Sequence, residues 1–417
     1  MLKVLHLSTY DDQGGAAKAA YRIHKSQQTL GIDSTLMVLS KKLNDPSVVL
    51  PSSFDHFSKL KFVQNIKADQ ALISKYIKIK KVLISTGKVG CNLVNEINKS
   101  DYDIINLHWI NNMLSISEIG RITKPIVWTL HDMWPFSGIF HYGHEKNDGL
   151  IEPKDYSDQI KKINELDATC LSQKIATWKD VPISVISPSR WLSESAKNSS
   201  VFKNSPISTI AYPVDSNIFF PYNMKSSRKE LNLPIDEKLI LFCPLSPVNN
   251  LIKGWSTILE IFQLLEINHP RIYTLVICGD KEKKYPLPFK SIWLEQIDDD
   301  QRLAKLYSAV NLVLCPSTQE ALGQVAVEAQ ACGTPVIASD VGGFKDTIIN
   351  NMSGMRIAVG DLHSFSKAII NIIDQVPNKL EGKVMPTTAS QHIINHYGYE
   401  VIAEQYFNIY KKITLYK

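Results

Sequence analysis

Long apolar runs are what this 417-residue sequence most clearly lacks. No stretch is uninterrupted for long enough to cross a bilayer, and the opening MLKVLHLSTYDDQGG has no basic flank followed by the apolar core of a secretion signal. A cytoplasmic protein, soluble or peripheral to the inner face of the plasma membrane, is expected. Cysteine is sparse: Cys91, Cys170, Cys243, Cys278, Cys315 and Cys332 are scattered, form no C-x-x-C pair, and fall partly inside strand-like runs such as LILFC and LVLC. Reduced, buried thiols fit that pattern better than a disulfide framework. There is no repeat and no low-complexity tract. With 44% hydrophobic and 21% charged residues, the composition excludes extensive disorder.

Charge of one sign is also scarce, since the net value is only +5. It is unevenly placed: Lys and Arg number 26 against 20 acids in residues 1–212, and 20 against 21 in residues 213–417. Most of the excess traces to residues 59–88, where Lys59, Lys61, Lys67, Lys75, Lys78, Lys80, Lys81 and Lys88 meet the single acid Asp69. Such a run suits an anionic membrane or another polyanion, and equally a solvated helix face. The lysines are not interleaved with the aromatic or glycine-rich signatures of nucleic-acid binders, so no nucleic-acid partner is expected.

What is present is an alternation of short apolar, β-branched runs with longer amphipathic ones, the signature of parallel sheets covered by helices. The first half contributes LKVLHLS, STLMVLS, DIINLHW, PIVWTLHD and ISVIS; the second contributes KLILFCPL, YTLVICG, VNLVLCPS and TPVIAS. Two series predict two α/β domains, 1–212 and 213–391, joined through YPVDSNIFFP and a polar linker NMKSSRKE, with a last helix from about His392 to Tyr410. Ligands of open α/β sheets sit beyond the carboxyl ends of strands, so functional residues should follow those runs.

They do. Gly14 and Gly15 form a turn after the first run that feeds a helix of small residues, which suits either backbone approach to a phosphate or acceptor or simply a tight turn. His108 and Trp109 end one run and His131 and Asp132 another, where an imidazole can bond sugar hydroxyls and an aromatic can cover a sugar face. Packing at the sheet edge is the alternative for His108 and Trp109. The densest constellation is CPSTQEALGQVAVEAQACGTPVIASDVGG. Glu320 lies before a helix start near Leu322 to Gln324, and Glu328 about two turns in. The amides of Leu322, Gly323, Gln324 and Val325 then sit at a positive helix end suited to a diphosphate. Asp298-Asp299-Asp300 reads as the acidic cap of the helix QRLAKLYSAV rather than a metal-binding D-x-D.

That segment resembles the E-x7-E region of family-4 retaining glycosyltransferases, which reads close to E-G-F-G-x-x-x-x-E-A-x-A-C-G-x-P-V-I-A-S-D-x-G-G. Along nearly the whole chain, the early Gly-Gly turn, the histidine of TLHD, SPSRWL at Ser187–Leu192, YPVDSNIFFP and IKGW are similar to further marks of the family. TLHDMWPF with NLHWIN resembles its exopolysaccharide branch. The resemblance implies the GT-B fold, two Rossmann-like domains with parallel sheets facing across a cleft, and residues 392–417 returning as a helix to the first domain. It implies a nucleotide diphospho-sugar donor as co-substrate with no other cofactor and no metal, a saccharide or lipid-linked saccharide acceptor, and transfer with retention. Glu328 would hold the ribose, Glu320 the transferred sugar, Lys253 the diphosphate and His131 the sugar or the developing charge. The sequence departs from the pattern at Val248 and Ile252, either of which marks where an arginine is commonly carried before the lysine. Ala321, Leu322, Pro213 and Asp346 also replace the usual residues. Arg190, after a first-half run, is the candidate substitute for the missing cation. A sugar-nucleotide 2-epimerase and a non-catalytic sugar-binding subunit share this fold and are the alternatives.

Overall fold

The computed structural model describes residues 1–53, 56–76, 83–143, 157–248, 250–279, 286–375 and 387–415. The chain divides into two compact units, Met1–Ala211 together with Ala403–Lys417, and Tyr212–Ile402.

The first unit runs β1 (Lys3–Tyr10), α1 (Gly15–Thr29), β2 (Asp33–Ser40), β3 (Val48–Val49), α2 (His56–Tyr76), α3 (Val94–Lys99), β4 (Ile104–Leu107), α4 (Ile116–Ile119), β5 (Ile126–Thr129), α5 (Ser157–Trp178), β6 (Ile183–Ser187), α6 (Arg190–Lys197) and β7 (Ile207–Thr209). Its seven strands pair in parallel in the order β3-β2-β1-β4-β5-β6-β7. The order reverses between β1 and β4, which makes the carboxyl ends of those two strands the topological switch point. Strands β4 and β5 are buried along their whole length, as expected where helices cover both faces of a parallel sheet. Trp128 of β5 anchors one face, fully buried with its ring centroid 5.2 Å from Trp178 and 6.1 Å from Phe202. A side chain of this size is worth about 3 kcal/mol or more when buried.

The second unit runs α7 (Met224–Glu230), β8 (Lys238–Phe242), a 3-10 turn (Leu251–Lys253), α8 (Trp255–Asn268), β9 (Tyr273–Gly279), β10 (Ser291–Glu295), α9 (Asp300–Ala309), β11 (Leu312–Cys315), α10 (Gln324–Ala331), β12 (Val336–Ser339), α11 (Phe344–Thr347), β13 (Gly354–Ile357), α12 (Leu362–Gln375) and α13 (Thr388–Tyr397). Its sheet is six-stranded and parallel, β10-β9-β8-β11-β12-β13, with the switch between β8 and β11. Ile258, Ile261 and Phe262 of α8 and Phe365 and Ile369 of α12 pack with Ile240, Leu275 and Leu314 of the sheet in one core. Asp299 caps α9 by accepting the amide of Arg302, and Asp300 begins the helix. The acidic run is therefore a helix cap, as expected from the sequence.

The structure departs from three of the expectations drawn from the sequence. The segment NMKSSRKE is not a polar linker. Met224–Glu230 is helical because Arg228 turns inward, 1% exposed, and donates to the carbonyls of Ala309 (2.8 Å) and Glu237 (2.9 Å) and to Asn311 Oδ1 (2.9 Å). Nor is the last segment one helix: α13 stops before Gly398, whose backbone is extended, and α14 (Tyr399–Leu415) starts anew. The interruption has a hydrogen-bonded cause, since the amide of Val214 takes the carbonyl of Tyr397 at 2.7 Å and Val214 bridges Gly398. From Ala403 onward the chain belongs to the first unit, where Tyr406 and Tyr410 are fully buried. Cys91 and Cys243 are half-buried rather than buried, while the other four thiols are buried and all six are free.

Candidate functional site

In the second unit the chemistry gathers at the switch point. The 3-10 turn after β8 ends on Lys253, and Gly254 behind it is left-handed (φ +79°), where a Cβ would strike the carbonyl of Pro316 after β11. Glycine there lets two loops touch, and the amide of Thr318 donates to the carbonyl of Ile252 at 2.8 Å. The result is an ion pair between Lys253 Nζ and Glu320 Oε2 at 2.6 Å, with the two side chains 21% and 13% exposed. Ser317 lies within 3.5 Å of the same carboxylate oxygen. On the other side, Gly342 and Gly343 press on the Glu320–Leu322 backbone. The amide of Gly343 donates to the carbonyl of Glu320 (2.9 Å), and a Cβ on either glycine would collide with that backbone.

Helix α10 opens from Gly323, left-handed at φ +93° and packed against the ring of Phe344. The first amide to turn back is that of Ala326, onto the carbonyl of Gly323 at 2.9 Å. Leu322, Gly323, Gln324 and Val325 thus stand at the end of a helix dipole ahead of its internal bonding. Glu328, about one turn in and only 4% exposed, accepts from the phenol of Tyr307 on α9 at 2.8 Å. Burial and the Glu328 charge push the Tyr307 phenol well above its usual range, so it stays a donor. Lys253 and Glu320 are brought together; Glu328 is held separately, by Tyr307.

In the first unit, the switch point carries a row of imidazoles. His6 of β1 lies beside Asn106 of β4 in the sheet register, and His108 and His131 follow the ends of β4 and β5. His131 Nε2 is 3.0 Å from His108 Nδ1, and His108 Nε2 is 2.8 Å from His6 Nδ1. His6 Nε2 is 2.9 Å from Gln27 Oε1 of α1, and Gln27 Nε2 donates to the phenol of Tyr410 at 2.9 Å. All three rings are buried. Burial lowers His6 and His131 to about 4, partly offset by Gln27 and Asp132 respectively, and takes His108 well below the ordinary range. The row is therefore neutral at physiological pH.

Beside it, Asp132 accepts from Trp109 Nε1 (3.1 Å) and the amide of Trp134 (2.9 Å) and pairs with His141 Nδ1 at 2.5 Å. Burial alone would raise the Asp132 carboxyl, but the charge and hydrogen bond of His141 outweigh it and keep it below its usual value. Lys174 of α5, fully buried, clamps the turn that follows through the carbonyls of Trp134, Ser137 (2.9 Å) and Gly138 (2.8 Å). Gly14 caps α1 with φ +86°, Gly15 begins the helix with open space where a Cβ would stand, and Arg190 is exposed at the first position of α6. His6, Gln27, Tyr410, Tyr307, His141 and Lys174 were not singled out by sequence. A histidine at an inward position of the apolar run VLHLS was the one available signal.

Residues 223–381 match the family model described as glycosyl transferases group 1. That stretch holds Lys253, Glu320, the start of α10 and Glu328. The D-inositol 3-phosphate glycosyltransferase of Mycolicibacterium smegmatis is 23% identical over 296 residues, which cover 67% of this chain and 61% of that protein. The match thus spans about three fifths of the relative's length. Sucrose-phosphate synthase from Thermosynechococcus elongatus superposes with a TM-score of 0.65 at 19% identity, covering 100% of both chains. HepE of Anabaena in complex with UDP-glucose gives 0.63 at 15% identity, covering 99% of this chain and 100% of that one. The fold is the GT-B fold of two Rossmann-like units expected from the sequence.

Proposed function

We propose that the chain is a retaining glycosyltransferase of family 4 that moves a sugar from a nucleotide diphospho-sugar onto a saccharide or lipid-linked saccharide acceptor. The Lys253–Glu320 ion pair, set at the head of α10 inside the stretch that matches the family model, is the observation that carries this reading. In the ligand-free protein the carboxylate occupies the lysine. When a diphosphate arrives at the α10 amides, Lys253 exchanges Glu320 for phosphate oxygens, and Glu320 is released to bond hydroxyls of the transferred sugar. Glu328, ordered by Tyr307, takes the ribose hydroxyls. His131 takes the sugar in the first unit, with Trp109 and His108 behind it and the Gly14–Gly15 turn and Arg190 as further acceptor-side groups. Lysine and helix amides supply the positive charge that a leaving diphosphate requires, so the reading assigns no metal role. HepE's UDP-glucose supports a nucleotide-sugar donor for this fold. Helix α2 exposes Leu60 (52%) and Val63 (47%) next to Lys59, Lys61 and Lys67, which supports docking on an anionic membrane carrying a lipid-linked acceptor. Of the other lysines in that run, the side chain of Lys75 and residues Lys78, Lys80 and Lys81 lie outside the described residues.

A thermal-shift screen of UDP-, GDP- and ADP-sugars tests the donor, since a ligand at a hundred times its dissociation constant stabilises by about 2.7 kcal/mol. With the donor named, calorimetry separates the two glutamates. Glu328→Ala should lose about 1.5–3 kcal/mol of nucleoside diphosphate affinity. Glu320→Ala should bind the diphosphate at least as well, because Lys253 no longer has a competing partner, while turnover falls. Equal loss of affinity in both variants, or none in Glu328→Ala, sinks the assignment.

A further inference from the structure

The three-histidine row has a direction, and its far end sets it. In a neutral imidazole one nitrogen donates and the other accepts, so in a row of rings linked nitrogen to nitrogen the tautomer of each ring dictates that of the next. Gln27 donates its amide N–H to Tyr410 and so turns its carbonyl oxygen toward His6 Nε2. That oxygen can only accept, which places a proton on His6 Nε2 and a lone pair on Nδ1. His108 must then donate from Nε2 to His6, and His131 must donate from Nε2 to His108. We infer that Gln27 and Tyr410 are positioning residues which hold His131 in the Nε2–H tautomer, leaving Nδ1 as its acceptor nitrogen.

The consequence for the ligand rests on the glycosyltransferase reading. An acceptor nitrogen receives a hydrogen bond from a hydroxyl and is repelled by phosphate oxygens, so His131 would recognise a sugar O–H and not an anion. The row is not a proton wire to solvent. It ends on a carboxamide, which cannot take up and pass on a proton, and its three rings are kept neutral by burial. It is held in place from two sides: Tyr410 also accepts from Asn106 Nδ2 at 2.9 Å, and Asn106 Oδ1 accepts from Thr129 at 3.0 Å, tying β4, β5 and α14 to the same phenol.

The test reads tautomers directly in the full chain. Nitrogen NMR of protein labelled in its histidine side chains distinguishes an N–H from a lone-pair nitrogen, and single histidine substitutions assign the signals. His6, His108 and His131 should all be Nε2–H in the wild type. Gln27→Glu keeps an acceptor facing His6, with Tyr410 donating to its other oxygen, and should preserve all three tautomers. Gln27→Met removes the acceptor and Tyr410→Phe removes the partner that orients the amide; each should shift His131 to a mixture. A His131 that is Nδ1–H in the wild type, or one whose tautomer is unmoved in both Gln27→Met and Tyr410→Phe, overturns the inference. Shifted tautomers with unaltered sugar transfer would support the inference and count instead against the place of His131 in the proposed reaction.

Discussion

Acid should unfold the first unit well before its carboxylates titrate. His6, His24, His108 and His131 are all buried there, and desolvation is the largest cause of a lowered pKa in each: about 4 for His6 and His131, about 3 for His24, and well below the ordinary value for His108. In the unfolded chain each titrates near 6.5. Between those limits the unfolded state binds protons that the folded state refuses, so stability is complete above about pH 6.5 and is lost as pH falls. The loss depends only on unfolded-state protonation while the folded rings stay neutral, so mutual coupling within the row does not alter it. From pH 7 to pH 5.5 each imidazole costs about 1.2 kcal/mol, and the four together about 5 kcal/mol. That is the lower end of the total stability of an ordinary domain. Urea unfolding of the full chain, followed by hydrogen exchange of the β1 and β4 amides so that the first unit is read by itself, should show this drop. His24 bonds Ser34 (2.7 Å) and Ser47 (2.9 Å) and stands outside the row, so His24→Gln removes one titrating ring without cutting it. The variant's pH dependence should be shallower by about 1.2 kcal/mol over the same range. Stability that is flat from pH 7 to 5.5, or an unchanged slope in His24→Gln, refutes the reasoning.

Three other outcomes are expected. Lys253→Ala should lower kcat by about 100- to 1000-fold, as when one preorganised charge-stabilising donor is removed, and a rate within about threefold of wild type would place the work elsewhere. Lys174 titrates near 7 in the fold against 10.5 unfolded because of its burial, so the unfolded chain holds that proton more tightly and the first unit should gain stability as pH rises from about 7 towards 10; Lys174→Met should abolish the gain, and an unchanged gain would assign it to another group. The chain should co-float with anionic liposomes at low salt and separate from them at high salt, since each lysine near such a surface is worth about 1 kcal/mol; absence of flotation at every salt concentration excludes the α2 surface as a membrane site.

Much of the fold was legible because parallel strands covered on both faces must be apolar throughout. Each of the nine runs read from the sequence is a strand. The strands that were missed, β3, β7, β10 and β13, sit at or near sheet edges, where one side faces solvent: β10 reads SIWLE with half-buried residues, and β7 has only three residues. Helix α7 was hidden by its own composition, because its anchor is an arginine whose partners are carbonyls on other segments. In the second unit the placement of the candidate residues could be anticipated, since Glu320, the start of α10 and Glu328 are fixed by local spacing along one turn and one helix. In the first unit His108 and His131 could be placed at strand ends, but the residues that order them could not be anticipated. Gln27 and Tyr410 are 383 positions apart, and nothing local in either residue announces the other.

The two switch points solve different electrostatic problems with the same topology. In the second unit the polar groups at the strand ends are ionised and partly exposed, with a lysine and a carboxylate paired at 2.6 Å ahead of a helix dipole. The pair is only partly exposed, so breaking it requires that each partner be re-paired, as phosphate oxygens on the lysine and sugar hydroxyls on the carboxylate would do. In the first unit the three rings of the row are buried, and desolvation opposes charging each of them, only partly offset by Gln27 at His6 and by Asp132 at His131. The protein keeps them neutral and spends their hydrogen-bonding capacity on one another. A site of the first kind suits a ligand that arrives carrying charge, and one of the second kind suits a ligand that arrives with hydroxyls. On the proposed reading a nucleotide diphospho-sugar and a saccharide would divide between those two descriptions, the charged diphosphate going to the second unit and sugar hydroxyls to the first.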